Sequence, residues 1–310
     1  MSILIVSPGK ELDRWIEALK KEADPSVPVY LPGQVQDPAD ITFALAWNHP
    51  PGFFRQFTNL KAISSFGAGV DHLVKDPQIP PQVTITRIID PLLSADMAEF
   101  ALSVVLKHMR RLTRYCRYQA ANQWKRHSYL RVKIVRVGIM GTGMIGHHVA
   151  NYLLQTGFKV SGWSRTPGKE AAYKKYYGKD QLGRFLEGCN ILICLLPLTA
   201  ATGGIIDKHL LSKLPSGAHV INLGRGAHVA DNDLIQSIDN GHIDSAHLDV
   251  FDPEPLPENH PFWDHPKIDI TPHVASLTDP MSVARQVLEN YHRLQNGEPL
   301  IHTVSRDRGY

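Results

Sequence analysis

The chain has 310 residues, 43% hydrophobic and 20% charged, with 33 Lys and Arg against 30 Asp and Glu. These proportions exclude a disordered or fibrous chain and leave room for two domains with separate cores. A net charge of +3 offers no general surface for nucleic acid or an anionic membrane.

The chain opens on "MSILIVSPGK", a short apolar strand running into Pro-Gly, too short for a secretory core and without a basic leader. Further strand-like runs follow at "TFALA" (42–46), "AIS" (62–64) and "VTIT" (83–86), and "DRWIEALKK" (13–21) carries Trp15, Ile16 and Leu19 at helical spacing. Strands alternating with helices predict a parallel sheet. One long helix is expected over 92–118, uninterrupted by Pro or Gly, with Asp96 and Glu99 spaced as a cap and its N3 partner. Arg110, Arg111, Arg114 and Arg117 read as its solvated end, where cations suit the dipole, and no nucleic-acid partner is expected. Cys116, Cys189 and Cys194 fit no CxxC motif or disulfide framework, so a reducing, cytoplasmic location is expected. The densest apolar run, "ILICLLPL" (191–198), is far shorter than the roughly 20 residues of a membrane span.

The alternation restarts near residue 133. Strands are predicted at 134–140, 158–163, 190–196, 218–223, 244–250 and 268–271, with helices at 145–156, 180–187, 207–213 and 231–239 between most of them. Six strands with crossover helices fit a doubly wound dinucleotide-binding domain. A last helix is expected over 280–296. The reading is α/β, with two doubly wound parallel-sheet domains: a Rossmann cofactor domain over 99–272, inserted into a smaller flavodoxin-like substrate domain made of 1–98 and 273–310. The active cleft is expected between them.

"GIMGTGMIGHHVA" (138–150) holds Gly141-x-Gly143-x-x-Gly146 between a β-branched run and an amphipathic helix, the setting a pyrophosphate loop requires. Gly141 permits the turn, Gly143 lets the backbone approach the anion, and Gly146 lets the helix pack. Thr142, Met144 and Ile145 belong to the same loop and helix start. The next strand should end in an acid for the ribose, yet no Asp or Glu occurs from Asn151 to Lys169. Trp163, Ser164, Arg165 and Thr166 stand there instead. A guanidinium grips a 2′-phosphate that an acid would repel, so NADP(H) is expected, with NAD(H) at lower affinity. The other reading is an exposed turn whose arginine faces solvent.

Three later segments carry chemistry. "INLGRGAHV" (221–229) sets Arg225 between two glycines, whose missing bulk would let a carboxylate approach. "LDVFDPEPLP" (248–257) brings Asp249 and Glu254, and "ITPHVAS" (270–276) brings His273. Each follows a predicted strand, so all can converge on the carboxyl rim of one sheet. A carboxylate beside a histidine favours its protonated form, making the pair a proton donor near neutral pH. No metal site is expected.

"GTGMIG", "LLPLTAAT", "INLGRGAHV", "LDVFDPEPLP" and "TPHVAS", in that order, resemble the D-isomer-specific 2-hydroxyacid dehydrogenase family. "FGAGVDHL" (66–73) and "ADMAEFALSVVL" (95–106) extend the match over the whole chain. "AWNHPP", "GAGVD", "WSRT", "RGAHV" and "RDRGY" resemble more narrowly its glyoxylate/hydroxypyruvate reductase A subgroup. The resemblance implies an NADPH-dependent reductase of small 2-oxo acids. Arg225 would bind the carboxylate and carbonyl oxygen, His273 would donate the proton, and Glu254 would hold His273. Backbone N–H groups at Ala68 and Gly69 would bind the carboxylate, with Trp47 and His49 near the substrate. Asp249 would contact the nicotinamide amide, and Leu196 and Pro197 the cofactor. A homodimer through the cofactor domain is also implied. Two alternatives stay open: a dehydrogenase for a bulkier 2-oxo acid, and a cofactor-sensing, corepressor-like binding protein. The lack of a further C-terminal domain weakens a phosphoglycerate dehydrogenase reading.

Overall fold

The computed structural model describes residues 2–9, 11–22, 27–168 and 170–310. The chain divides into one unit of Met1–Leu93 with Thr278–Tyr310 and a second of Ser94–Leu277.

In the first unit, β1 (Ser2–Val6), β2 (Val29–Tyr30), β3 (Ile41–Ala46), β4 (Ala62–Ser65) and β5 (Thr84–Thr86) form one parallel sheet. Its order is β2-β1-β3-β4-β5, a flavodoxin-like arrangement. Strand alternation divides the core in two. Ile3, Ile5, Phe43 and Leu45 meet Trp15 and Leu19 of α1 (Asp13–Glu22) and Val283, Val287 and Tyr291 of α9 (Pro280–Asn296). Leu4, Val6, Ala44 and Ile63 face the other way, toward Phe54, Phe57, Leu73 and Ile79. Asp279 caps α9 by accepting from Met281 N–H, and Pro280 occupies its first turn. Beyond α9, Thr303 bridges Thr86, and the Arg306 guanidinium donates to the carbonyls of Ile79, Pro80 and Val83.

The second unit holds a seven-stranded parallel sheet. Its strands are β6 (Arg136–Met140), β7 (Lys159–Ser164), β8 (Lys174–Tyr177), β9 (Ile191–Cys194), β10 (Ala218–Asn222), β11 (Ile243–Leu248) and β12 (Ile268–Ile270). The order β12-β11-β10-β9-β6-β7-β8 reverses between β9 and β6, which is the switch point of a Rossmann sheet. The connecting helices are α5 (Met144–Gln155), α6 (Gly178–Glu187), α7 (Lys208–Leu211) and α8 (Asp231–Asp239). Both faces of the sheet are buried. This accounts for near-continuous apolar strands such as "ILIC".

Three sequence expectations change. Two strands were not anticipated: β2 spans two residues, and β8 is an edge strand, "KKYY", whose lysines hide its period. The expected helix over 92–118 is two helices, α3 (Pro91–Met109) and α4 (Leu112–Ala120), with Arg111 left-handed at φ 58° between them. Ala98, Ala101, Val105 and Met109 of α3 join the core, whereas α4 buries no residue. Packing sustains a helix, and it ends at Met109. The start also moves. Leu92 N–H donates to the Asp90 carboxylate at 3.0 Å with Pro91 opening the helix, and Asp96 and Glu99 lie exposed inside it.

Candidate active site

Arg225, Glu254 and His273 follow the carboxyl ends of three neighbouring strands, β10, β11 and β12. Asn222, the buried last residue of β10, sets the first loop. Its amide donates to Arg225 C=O at 2.8 Å and its oxygen accepts from Gly224 N–H at 3.2 Å. Arg225 N–H donates to His228 Nδ1 at 3.0 Å, and the guanidinium reaches Gly224 C=O at 2.8 Å. The flanking glycines serve a purpose different from the one expected. A Cβ on Gly226 would lie 1.9 Å from the Phe251 carbonyl carbon, and one on Gly224 2.9 Å from His228 Nδ1. They admit neighbouring protein atoms, so the Arg225 loop lies directly on the acid loop.

His273 Nδ1 and Glu254 Oε2 are 2.8 Å apart, each side chain 35% exposed. The second Glu254 oxygen accepts from Phe251 N–H at 2.9 Å. Burial works to raise the Glu254 carboxyl. The hydrogen bonds from His273 and Phe251 N–H, with the charges of His273 and Arg225, outweigh it and hold the group below its ordinary value. An ionised Glu254 only accepts, so Nδ1 carries a proton and Nε2 is the nitrogen left to exchange one.

His273 sits in the left-handed region at φ 55°, a conformation costing roughly 1–2 kcal/mol for a side-chain-bearing residue. Asp249, 1% exposed, holds it there. Its C=O accepts from His273 N–H at 2.7 Å. Its carboxylate accepts from the Thr271 hydroxyl at 2.6 Å, Val274 N–H at 3.0 Å and Ala275 N–H at 2.9 Å.

The phosphate loop lies at the switch point. Gly141 has φ +99°, and a Cβ there would meet Leu195 C=O at 2.6 Å. A Cβ on Gly146 would fall 1.8 Å from Gly141 C=O, so only glycine lets α5 approach β6. Gly143, which precedes α5, faces open space. The first N–H groups of α5, from exposed Met144 and half-buried Ile145, lie beside that opening, as a dinucleotide pyrophosphate requires. Half-buried Thr142 packs against Gly162.

Trp163 differs from expectation. It is 6% exposed, belongs to the core with Phe185 and Met140, and donates from its indole to Gly178 C=O at 2.9 Å. The pleat turns it inward, and its carbonyl accepts from Gly141 N–H of the phosphate loop. Ser164, Arg165 and Thr166 form the turn beyond it. The Ser164 hydroxyl donates to Thr166 C=O, and Arg165 and Thr166 are exposed. The turn has a second cation that sequence reasoning missed. Lys175 Nζ on β8 stands 2.7 Å from where a Gly168 Cβ would be. Its register opposite Gly162 places it on the Thr142 side of the sheet. The Leu196 side chain is buried, and half-buried Pro197 accepts from the Thr202 hydroxyl.

In the first unit, Trp47 follows β3 half-buried, its ring 4.6 Å from that of His72. Ala68 and Gly69 lie between β4 and α2 (Asp71–Val74), where Ser65 donates to Gly69 C=O at 2.6 Å. Among the described residues nothing accepts from the N–H groups of Ala68 and Gly69. His49 lies below the surface of this loop. It is buried against Asp76 at 2.9 Å, and Asp76 also accepts from Gly52 and Gln78 N–H.

Residues 102–275 match the model of the D-isomer specific 2-hydroxyacid dehydrogenase NAD-binding domain. The chain is also 37% identical, over all of both chains, to glyoxylate/hydroxypyruvate reductase A of Klebsiella pneumoniae. The chain belongs to the D-isomer specific 2-hydroxyacid dehydrogenase family. Solved relatives agree in fold. A D-isomer specific 2-hydroxyacid dehydrogenase from Xanthobacter autotrophicus, in complex with NADPH and MES, is 38% identical, with a TM-score of 0.93 over 100% of this chain and 99% of its own. An NADPH-dependent glyoxylate/hydroxypyruvate reductase from Sinorhizobium meliloti, in complex with NADP and sulfate, is 34% identical, with a TM-score of 0.92 over 100% of both. This dehydrogenase is thus a nicotinamide-dependent oxidoreductase with a Rossmann domain. Among its described residues there is no cluster of metal-ligating side chains, and no helix long and apolar enough to cross a membrane.

Proposed function

We propose that the chain reduces small 2-oxo acids with NADPH, converting glyoxylate to glycolate and hydroxypyruvate to D-glycerate. The His273–Glu254 pair at 2.8 Å, with Arg225 close enough for its charge to act on Glu254, carries this reading. Arg225 takes the substrate carboxylate and carbonyl oxygen in its planar fork. Within the first unit, the N–H groups of Ala68 and Gly69 suit a carboxylate, with Trp47 beside Gly67. A bound nicotinamide supplies the hydride to C2. His273 passes its Nε2 proton to the carbonyl oxygen while Nδ1 stays on Glu254, so the ring ends neutral and correctly oriented. Asp249, with one acceptor position left on Oδ2, takes the nicotinamide amide. Leu196 and Pro197 border the cofactor through their backbone.

The preference for NADPH rests on Arg165 and Lys175 at a turn without an acid, and agrees with the NADPH and NADP held by the two similar structures. We further read the chain as a cytoplasmic homodimer. Its three free thiols suit a reducing compartment. Trp124 at 93% exposed, with Tyr129, Leu130 and Ile134, offers apolar surface on the second unit for a like partner. The deciding experiment is absorbance at 340 nm with glyoxylate or hydroxypyruvate and either cofactor. Faster oxidation of NADPH than NADH at limiting cofactor is expected. Equal use of both would remove Arg165 and Lys175 from cofactor choice, and no turnover with either acid would overturn the substrate assignment.

A further inference from the structure

Behind Asp249 lies a buried histidine that the reaction does not use. His247, on β11, is 2% exposed, and its Nε2 is 3.1 Å from the Thr271 hydroxyl. That hydroxyl lies 2.6 Å from Asp249 Oδ1, which also accepts from Val274 N–H. We infer that His247 is a positioning residue for His273, acting through Thr271 and Asp249. The inference rests on the reading of His273 as the proton donor.

A proton count sets the direction of the chain. Threonine has one hydroxyl proton, and the short bond to Asp249 takes it. The Thr271 oxygen can then only accept, so His247 must carry its proton on Nε2. Its Nδ1 is left bare, and it is buried without a hydrogen-bond partner. A neutral ring satisfies this arrangement, whereas a charged ring would bury a second N–H with no acceptor. Burial accordingly pushes His247 down to about 4. Phe100 of α3 meets the ring edge-on, with centroids 5.7 Å apart. His247 thus commits the Thr271 hydroxyl to Asp249. Asp249 in turn holds Val274 and Ala275 through its carboxylate and the left-handed His273 through its C=O, beside a second bond from His273 N–H to Thr271 C=O at 3.1 Å. Without the Nε2 donor the buried Thr271 oxygen loses the N–H it accepts from, and its bond to Asp249 loses the polarisation that donor supplies.

Two substitutions separate this from simple packing. His247→Phe keeps a ring of similar size and removes the donor, and His247→Gln supplies an amide donor. His247→Phe should lower kcat about tenfold, as small misplacement of a reacting group does. KM for hydroxypyruvate and Kd for NADPH should change less than about twofold if ground-state binding is intact. His247→Gln should recover most of the loss. Two readouts do not depend on turnover. ¹⁵N NMR of the full chain should give His247 as the Nε2–H tautomer, and amide exchange over 271–275 should quicken in His247→Phe. An Nδ1–H tautomer, unchanged exchange and kcat in His247→Phe, or a His247→Gln as impaired as His247→Phe would each overturn the inference. If His247→Phe does not fold, Thr271→Val against Thr271→Ser poses the same question, with the serine expected to behave as the native chain. Absence of turnover in the native chain would strike the reductase reading alone, because tautomer and exchange test the hydrogen-bond chain directly.

Discussion

Two rims of the same sheet are built in opposite ways. At the ends of β10, β11 and β12, buried polar groups fix the loops: Asn222 holds Arg225, and Asp249 holds the turn that carries His273. At the end of β7, a short exposed turn carries Ser164, Arg165 and Thr166, with the Ser164 hydroxyl donating to Thr166 C=O and Lys175 reaching across from an edge strand. Proton transfer demands atoms placed in advance. Holding a phosphate asks mainly for charge, which long side chains bring from the surface. Substitutions on the first rim should therefore be felt in turnover, and those on the second in cofactor affinity.

The largest expected effect is at Arg225. Arg225→Ala should lower kcat/KM for glyoxylate by about a thousandfold, through lost carboxylate binding and charge stabilisation, measured by steady-state kinetics with NADPH. Substantial remaining activity would separate Arg225 from the reaction.

Next comes the acid limit of the buried frame. Burial lowers His219 and His247, His247 to about 4, while an unfolded chain titrates near 6.5. Between those values the unfolded state binds more protons, so stability is complete above about pH 6.5 and is lost as pH falls toward 4. His247 alone should account for roughly 3 kcal/mol of that loss. Urea midpoints at pH 7.5 and 5 should show the drop, and His247→Phe should reduce it. An equal drop in both chains would assign it elsewhere.

A smaller effect belongs to the exposed turn. Arg165→Ala should raise Kd for NADPH about thirtyfold and leave NADH unchanged, as the loss of one charge-assisted pair would. Lys175→Ala should do the same more weakly. Fluorescence titration distinguishes them, and a matching loss for NADH would show damage to the fold instead. The smallest concerns Glu254. Glu254→Gln should lower kcat about tenfold in steady-state kinetics with NADPH, because the neutral amide no longer holds His273 Nδ1 as a carboxylate does. An unchanged kcat would remove Glu254 from proton transfer.

The grouping of the candidate residues was legible in the sequence because each follows a strand, and order along the chain maps onto neighbouring strand ends. Arg225, Glu254 and His273 needed only that rule. The glycine loop needed only its flanking strand and helix. Other features depended on facts that no local window holds. Trp163 ends the same strand as Ser164, but one step of the pleat sends it into the core. Lys175 meets the turn through strand pairing, and β8 has no apolar period to announce it. Thr271 and His247 lie 24 positions apart and join only when β11 and β12 pair. The break at Arg111 follows the end of buried surface, because no Gly or Pro marks it.

The division of the chain sets an order of assembly. The second unit, Ser94–Leu277, is one uninterrupted stretch, whereas the first needs both Met1–Leu93 and Thr278–Tyr310. As the chain leaves the ribosome, the cofactor fold has every strand available while the first sheet still lacks α9 and the Arg306 anchor. The opening third of the chain must wait, with one apolar sheet face covered only by α1, for the closing tenth. A stop codon or protease cut after residue 277 would spare the nucleotide-binding fold and leave the first unit with a partly exposed face, a target for chaperones and degradation.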